Sequence, residues 1–258
     1  MTNRQRVTIV TGASRRIAIG AAVVRRIAAD GAAVLVHSWE PHDREQEWGA
    51  DPGGAEALVA EVRRAGGRAE HVAADLADPD APGRLVEAAR DAFGPVDAVV
   101  ANHARSSGQA LEDLTAAELD LSYAVNTRAT LLLVQAFAAQ HDPARGGGRV
   151  VLFTSGQYHG AMPQELPYIA SKAALHEVTR SLVVHLMPRN ITVNCVNPGP
   201  NDTGYATEAV RADVAARNPG GRWSTPADAA ALVAWLLSDD AGWVTGQTIA
   251  SDGGWSSR

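Results

Sequence analysis

Lysine is almost absent from this sequence. Of its 23 lysine and arginine residues, 22 are arginines, and the remaining one is Lys172. Arginine can replace lysine where a solvated positive charge is sufficient, but not where a compact ammonium on a flexible stem must fit between other polar groups. Tyr168 lies four residues before Lys172, which on a helix places both side chains on one face, one turn apart. The absence of other lysines therefore favours a specific chemical need at this position over a chance survivor.

Cysteine, long apolar runs and basic clusters are also scarce or missing. The single Cys195 excludes a disulfide within the chain, and the β-branched run before it predicts a small core residue. The sequence contains no run of about 18 apolar residues, which a membrane-spanning helix would require. We see no apolar signal segment before the first strand. The net charge is −6 and the arginine doublets are isolated, which is unlike a nucleic-acid-binding protein. We expect a cytoplasmic protein with no membrane or nucleic-acid partner and no metal site.

Short β-branched segments alternate with longer segments of helical period along the whole chain. The segments predicted as strands are residues 7–10, 33–37, 69–73, 96–101, 149–154, 191–196 and 247–250. They are apolar on both faces, which is typical of a parallel sheet covered by helices on both sides. A chain of 258 residues that is 46% hydrophobic can bury one large core. The sequence predicts one α/β domain, residues 1–258, with a seven-stranded parallel sheet.

Two polar stretches, residues 38–54 and 203–222, interrupt this alternation. Both are long for connections in an α/β protein. Because ligands of such proteins bind beyond the carboxyl ends of the strands, we predict that these stretches are binding loops or lids.

The turn after the first strand has a glycine at each end, Gly12 and Gly20. Glycine permits a tight turn, and the helix predicted over residues 21–30 would present free N–H groups to a pyrophosphate. Turns of this kind also occur in many α/β proteins that bind no nucleotide. The motif alone leaves both interpretations open.

Tyr168 and Lys172 form a candidate acid–base pair. A phenol has an ordinary pKa of about 10 and is a poor acid–base catalyst at neutral pH. An ammonium about 4 Å away, at an effective dielectric near 20, would contribute about 4 kcal/mol, at most about 3 pKa units before desolvation. Such a tyrosine can protonate a ketone oxygen as hydride arrives, or deprotonate an alcohol as hydride leaves. An isolated Tyr-x-x-x-Lys is also the pattern of an amphipathic helix face.

Together with the glycine turn, this pair makes the chain resemble the short-chain dehydrogenase/reductase family, whose members are single-domain Rossmann enzymes of about this length. The resemblance covers nearly the whole chain. It implies hydride transfer between a nicotinamide cofactor and a ketone or secondary alcohol, in the manner of 3-oxoacyl-thioester reductases. A catalytically silent nucleotide-binding scaffold or redox sensor on the same fold is the alternative, because the glycine and asparagine motifs depart from the family pattern.

The family's catalytic residues match four positions of this sequence. The catalytic serine lies thirteen residues before the tyrosine, which selects Ser155 over the neighbouring Thr154. The resemblance implies that Tyr168 transfers the proton and that Ser155 hydrogen-bonds the carbonyl oxygen. It also implies that Lys172 lowers the tyrosine pKa and binds the nicotinamide ribose, while Asn126 holds a water that links the lysine to solvent.

The cofactor-binding positions implied by the resemblance lie in the first turn, at strand ends and after the sixth strand. They are Gly12, Ser14, Arg15, Arg16, Ala18, Ile19, Gly20, Ser38, Asp75, Leu76, Asn102, Tyr168, Lys172, Pro198, Gly199, Asn201 and Thr203.

Two motifs depart from the family pattern. The glycine turn carries two additional residues and has Ala18 in place of the second glycine, and Arg15 and Arg16 lie in or beside the insertion. The motif after the fourth strand keeps only Asn102 and has His103 in place of an alanine. His103 either faces the nicotinamide or substrate, or fills space beside the strand, and we favour the second.

The longer first turn, with its Ile-Ala-x-Gly, also resembles the enoyl-reductase branch of the family. Those enzymes place six residues between the tyrosine and the lysine. Seven residues before Lys172 stands Glu165, so the sequence fails this test.

The end of the second strand bears on the choice of nicotinamide cofactor. An NAD enzyme usually has an acid there, which accepts a hydrogen bond from the ribose 2′-hydroxyl, whereas this chain has Ser38. A neutral residue removes the repulsion against a 2′-phosphate, and Arg15 or Arg16 could bind that phosphate bidentately. The sequence therefore favours NADP(H), and Glu40 leaves NAD(H) open.

Two long apolar segments, residues 114–139 and 166–187, are predicted as helices. They resemble the pair of helices through which members of the family form oligomers. The resemblance implies a homodimer or homotetramer.

Overall fold

One parallel sheet organises the chain in the computed structural model, which describes residues 5–257. The strands lie in the order β3-β2-β1-β4-β5-β6-β7, and every neighbouring pair is parallel. The predicted doubly covered parallel sheet is confirmed, and every strand end lies within two residues of its predicted position. The strands are β1 Val7–Val10, β2 Ala33–Ser38, β3 Arg68–Ala73, β4 Ala98–Ala101, β5 Gly148–Phe153, β6 Ile191–Asn197 and β7 Thr248–Ala250.

Helices connect the strands and cover both faces of the sheet. They are α1 Ile19–Ala29, α2 Glu40–Glu45, α3 Gly54–Arg64, α4 Ala81–Phe93, α5 Ala116–Ser122, α6 Ala129–Gln140, α7 Leu166–Leu186, α8 Glu208–Arg217 and α9 Pro226–Leu237. In residues 5–257, none of these helices has the length and apolar character that crossing a membrane requires.

Alternate residues of a strand pack into two separate hydrophobic clusters, one on each face of the sheet. In β2, Val34 and Val36 pack with apolar side chains of α1, α3 and α9, whereas Ala33 and Leu35 pack with those of α4 and α6. Because both faces are buried, the strands read as continuous apolar runs rather than as an alternation.

The predicted helix over residues 114–139 is wrong in one respect, because the structure divides it. The helix begins after Thr115, whose hydroxyl caps it by accepting from the N–H of Glu118 at 3.2 Å. Between α5 and α6, the segment Tyr123–Arg128 forms a π-helix. There the Thr127 hydroxyl donates to the backbone oxygen of Ser171 on α7 at 2.9 Å. Wide turns of this kind are frequent at functional sites.

Candidate active site

A cavity of about 430 Å³ opens at the carboxyl edge of the sheet, where α/β proteins bind ligands. Its floor comes from the first turn and from the segments after β3 and β4. The predicted cofactor-binding residues that line it are Gly12, Ser14, Arg15, Ala18, Asp75, Leu76 and Asn102. The cavity therefore gathers residues from three separate parts of the chain.

The first turn packs tightly against the end of β4. Gly12 has a φ of +72°, and a Cβ there would lie 2.6 Å from the Cα of His103. The Asn102 amide donates to the backbone oxygens of Thr11 at 3.1 Å and Gly12 at 2.9 Å. No side chain caps the start of α1 at Ala18, which leaves the amide groups of its first turn free of a side-chain acceptor. This donor set fits a nucleotide pyrophosphate.

The two adjacent arginines of the turn have different surroundings. Asp51 accepts from the Arg16 backbone N–H at 3.0 Å, from its Nε at 2.9 Å and from its Nη2 at 2.8 Å. Arg15 lines the cavity, and its guanidinium carbon lies 5.7 Å from the centre of the Trp48 ring. Within residues 5–257, no carboxylate forms an ion pair with Arg15. Arg16 is thus committed to Asp51, and Arg15 is the arginine that faces the cavity.

Residues 39–53, here called the roof segment, lie over this cavity. The N–H of Ser106, which follows β4, donates to His42 Nε2 at 3.3 Å, and Arg105 Nη1 lies 3.7 Å from a Glu45 carboxylate oxygen. The Trp48 ring meets Tyr205 edge to face at 6.4 Å between centres. The two polar stretches predicted as loops or lids therefore contact each other across the site.

Ser38 does not line the cavity, although its neighbours His37 and Trp39 do. Its side chain is buried, and its Oγ lies 2.7 Å from His71 Nε2 on β3. His37 accepts from the Gly12 N–H at 3.2 Å and donates through Nε2 to the Ala74 oxygen at 2.9 Å. Burial lowers the pKa of His37 to about 4, so the ring is neutral, as the acceptor role at Nδ1 requires.

His103 is largely buried between strand and helix, and it is also among the residues that line the cavity, so both interpretations stay open. Its Nδ1 lies 2.7 Å from the Thr11 hydroxyl, and its Nε2 lies 3.0 Å from the backbone oxygen of Val125. Burial holds its pKa well below the usual range, and the charge of Lys172 lowers it further. The backbone oxygen of His103 nevertheless belongs to the site, because it accepts from Lys172.

Lys172 is a buried ammonium with only 2% of its surface exposed. Its Nζ donates to the backbone oxygens of His103 at 3.3 Å and of Phe153 at 3.1 Å. Within residues 5–257, no carboxylate forms an ion pair with it. Burial lowers its pKa from 10.5 to about 8. Two strand-end carbonyls therefore compensate a charge that has no anionic partner there.

The pKa of Tyr168 is shifted upward, whereas the sequence predicted a downward shift. Burial is the main reason that the pKa of the phenol is raised to about 12, and the charges of Glu165 and Tyr205 act in the same direction. A hydrogen bond with the Ser155 side chain acts in the opposite direction and lowers it. Lys172 does not bring the tyrosine pKa below its ordinary value of 10 in this structure. The phenol is therefore a neutral proton donor over the whole neutral pH range.

The other two predicted catalytic residues, Ser155 and Asn126, have different surroundings. The Thr154 hydroxyl donates to the backbone oxygen of Lys172 at 3.2 Å, so Ser155 is the hydroxyl that meets Tyr168. The Asn126 side chain, on the π-helix, accepts from the Arg105 N–H at 2.6 Å and donates to the Ser171 hydroxyl at 2.9 Å. Asn126 thus ties the segment after β4 to α7.

The remaining predicted residues lie outside the cavity wall. Gly199, after β6, has a φ of +63°, and a Cβ there would lie 2.3 Å from the Asp252 Cβ. Asn201 donates to the Thr225 oxygen at 3.1 Å. The predicted positions that do not line the 430 Å³ cavity are Arg16, Ile19, Gly20, Ser38, Asn126, Ser155, Tyr168, Lys172, Pro198, Gly199, Asn201 and Thr203.

Several residues at the site were not predicted from the sequence. The cavity wall includes His42, Trp48 and Arg105. His71 is hydrogen-bonded to the Ser38 hydroxyl. The length and polarity of residues 38–54 were the only sequence signal for the first two. Nothing local to Arg105 or His71 distinguishes them from ordinary surface residues.

Comparison with known proteins identifies relatives over the full length of the chain. A family model described as Enoyl-(Acyl carrier protein) reductase matches residues 12–256. The Uncharacterized oxidoreductase YjdA of Bacillus subtilis is 38% identical over 253 residues, which cover 98% of this chain and 97% of that protein.

Solved structures also include relatives that match nearly the whole chain. A short-chain dehydrogenase/reductase from Serratia marcescens is 33% identical with a TM-score of 0.86, covering 97% of this chain and 98% of that one. The crystal structure of the angucycline C-6 ketoreductase LanV with bound NADP is 32% identical with a TM-score of 0.86, covering 98% and 96% of the two chains.

The buried ammonium predicts a pH dependence of stability. Because the pKa of Lys172 is lowered from 10.5 to about 8 on folding, its protonated form opposes folding. This penalty is fully present below pH 8 or so and is lost as the pH rises toward 10.5. The unfolding free energy of Lys172→Met minus that of wild type should therefore fall by about 1–3 kcal/mol between about pH 7 and pH 10.

Urea unfolding of the protein without nucleotide, repeated across this pH range, measures the difference. Arg180→Met, at an exposed position of the same helix, is the control and should show no such trend. A pH-independent difference for Lys172→Met would contradict the assignment of a depressed lysine pKa.

Proposed function

Because the chain belongs to the short-chain dehydrogenase/reductase family, we propose that it interconverts a ketone and a secondary alcohol by hydride transfer. One observation carries the proposal: the neutral Tyr168 phenol meets the Ser155 hydroxyl while the ammonium of Lys172 is buried one turn further along α7. A scaffold that only bound nucleotide could use the ammonium, but it would have no need for a phenol and a hydroxyl paired beside it.

The nicotinamide cofactor, when bound, supplies or accepts the hydride. Tyr168 gives its proton to the carbonyl oxygen in reduction, and its high pKa keeps it protonated for that step. Ser155 donates a hydrogen bond to the same oxygen and opposes the charge that develops there. In alcohol oxidation the proton moves in the reverse direction, from the alcohol to Tyr168.

Lys172 has three N–H donors, of which two are used by the oxygens of His103 and Phe153. We assign the third donor to a hydroxyl of the nicotinamide ribose. In this role the ammonium is fixed beside the reacting centre, and its charge favours the phenolate that alcohol oxidation requires. Asn126 positions the segment after β4 against α7 and acts through the geometry of the site.

We propose NADP(H) as the preferred cofactor, with NAD(H) remaining open. Ser38 places no carboxylate at the end of β2, and Arg15 faces the cavity without a carboxylate partner in the described residues 5–257. The similar ketoreductase LanV has NADP bound in its crystal structure, which supports this choice. The substrate is a small ketone or secondary alcohol.

We also propose self-association as a homodimer or homotetramer through the helices on one face. Tyr123 on the π-helix is 53% exposed, and Val184 on α7 is 73% exposed. Exposed apolar side chains on adjacent helices are suited to burial against a second copy.

Turnover with a panel of ketones tests the proposed function. We expect NADPH oxidation by at least one ketone, and Tyr168→Phe should lower turnover by at least about 10²-fold because the proton donor is removed. Tyr123→Phe, at an exposed tyrosine, is the matched control and should retain turnover. Tight cofactor binding with no turnover of any ketone would favour the silent scaffold, and turnover of an enoyl thioester alone would favour enoyl reduction.

The same assay tests the role of the single lysine. Lys172→Arg keeps the charge but puts a planar, larger group where a compact ammonium fits between two carbonyls. We expect at least about a tenfold loss of turnover. Full activity of this variant would contradict the argument from the lone lysine.

The two adjacent arginines provide a test of cofactor recognition. Arg15→Gln should weaken NADPH binding by about tenfold or more and leave NADH binding nearly unchanged, because a charge-assisted contact to the 2′-phosphate is lost. Arg16→Gln should change both affinities by the same factor, because Arg16 contacts Asp51. Calorimetric titration of each variant measures both affinities. At least about tenfold tighter NADH binding by the wild type would contradict the NADP(H) preference.

A further inference from the structure

A well-formed ion pair lies beside the segment that follows β4. The Arg105 guanidinium donates through Nε and Nη2 to the two carboxylate oxygens of Glu118 on α5, at 2.8 and 2.9 Å. The two side chains are only 20% and 15% exposed, and the Ser122 hydroxyl donates to the same carboxylate at 3.0 Å. The hydrogen bonds from Arg105 lower the pKa of Glu118, so the carboxyl is ionised at neutral pH. The mechanism described above uses neither side chain.

The segment needs an anchor because residues 102–110 form neither helix nor strand. Its backbone polar groups must therefore find partners elsewhere. At Arg105 the partner is one side chain: the backbone N–H donates to Asn126 Oδ1 at 2.6 Å, and the backbone oxygen accepts from Asn126 Nδ2 at 3.0 Å. This two-way contact fixes the orientation of the Asn126 amide, because exchanging its oxygen and nitrogen would set donor against donor.

Asn126 connects this segment to the catalytic helix α7. An amide nitrogen has two hydrogens, and Asn126 Nδ2 also donates to the Ser171 hydroxyl at 2.9 Å. Ser171 in turn donates its proton to the backbone oxygen of Tyr168 at 2.8 Å. Asn126 and Ser171 are both buried, so water does not compete for these contacts. Directed hydrogen bonds therefore join Arg105 to the first turn of α7.

The position of Tyr168 matters because its phenol must meet both Ser155 and the carbonyl oxygen of a substrate. A displacement of about 1 Å at such a site can lower turnover by about 10²-fold. The cavity wall includes Arg105 but not Glu118. A change at Glu118 thus disturbs the connection to Tyr168 without removing a group from the cavity wall.

We propose that Arg105 and Glu118 are positioning residues, whose ion pair holds the segment after β4 so that Asn126 and Ser171 fix Tyr168 for proton transfer. The inference rests on the proposed ketone–alcohol function. Neither side chain exchanges a proton with the substrate, and both act through the Asn126 amide. Loss of the Glu118 charge leaves Arg105 in place but weakens its anchor, and the segment after β4 then moves relative to Asn126.

The anchoring is measured without cofactor or substrate. Both Nδ2 hydrogens of Asn126 are hydrogen-bonded in a buried site, so they should exchange slowly with solvent. In Glu118→Gln their exchange, followed in ¹⁵N NMR spectra and assigned with Asn126→Asp, should be at least about fivefold faster. A smaller change would overturn the proposal, whatever the enzyme's activity.

The effect on the reaction is measured by turnover and binding together. Glu118→Gln should lower kcat for ketone reduction at saturating NADPH at least about fivefold, while NADPH affinity stays within about twofold. The kcat is referred to the number of NADPH sites found by titration, so that unfolded protein is not counted. An unchanged kcat, or a loss confined to NADPH affinity, would overturn the proposal.

Glu61→Gln is the matched control for this variant. Glu61 accepts the same two hydrogen bonds from Arg25, from Nε at 2.8 Å and from Nη2 at 2.9 Å. Its replacement removes a comparable ion pair that has no connection to Asn126, so kcat should not change. A loss equal to that of Glu118→Gln would mean that any such ion pair has this effect, and would overturn the specific role of Glu118.

A double variant tests the path through Ser171. Ser171→Ala removes the link between Asn126 and Tyr168 and should itself lower kcat. In that background Glu118→Gln should cause no further loss, because two changes along one path are not additive. A further loss would mean that the ion pair acts by another route, and would overturn the proposal. Failure of the proposed function would appear instead as no turnover of any ketone by the wild type, and the amide exchange would then decide whether Glu118 anchors Asn126.

Discussion

A buried ammonium is the constraint on which the rest of the site depends. Lys172 carries a charge into a position with 2% exposure, and such a charge is costly unless oxygen atoms replace its water. The oxygens come from His103, just after β4, and from Phe153, at the end of β5. Parallel strands that end at the same edge therefore place two carbonyl oxygens around a compact ammonium.

The surrounding structure supports this arrangement. Thr11 bonds to His103 on one side of the ammonium, and Thr154 bonds to the backbone of α7 on the other. Asn126, on the π-helix, ties α7 to the segment after β4. The ammonium and the phenol are thereby held in a rigid frame, in which burial moves the two pKa values apart, to about 8 for Lys172 and about 12 for Tyr168.

The sequence predicted those parts of the molecule that depend on local pattern. Apolar runs gave the seven strands, and spacing selected Ser155 over Thr154, whose hydroxyl is engaged elsewhere. It could not show that Arg16 is bound by Asp51, or that His71 is hydrogen-bonded to Ser38. Those contacts join residues more than 30 positions apart, through the path of the roof segment and the register of β2 and β3. The direction of the Tyr168 pKa was missed for a related reason, because burial is a property of the fold.

The central claim is that Lys172 tunes Tyr168 once a nicotinamide ribose has been bound. The most direct measurement is the titration of Tyr168 by ¹³C NMR of labelled tyrosine rings, with and without saturating nucleotide, using Tyr168→Phe for assignment. Without nucleotide, the phenol should remain protonated up to pH 10.5 or so, in accord with a pKa of about 12. With nucleotide, the account predicts a pKa lowered by more than about one unit. An unchanged pKa in the complex would contradict it.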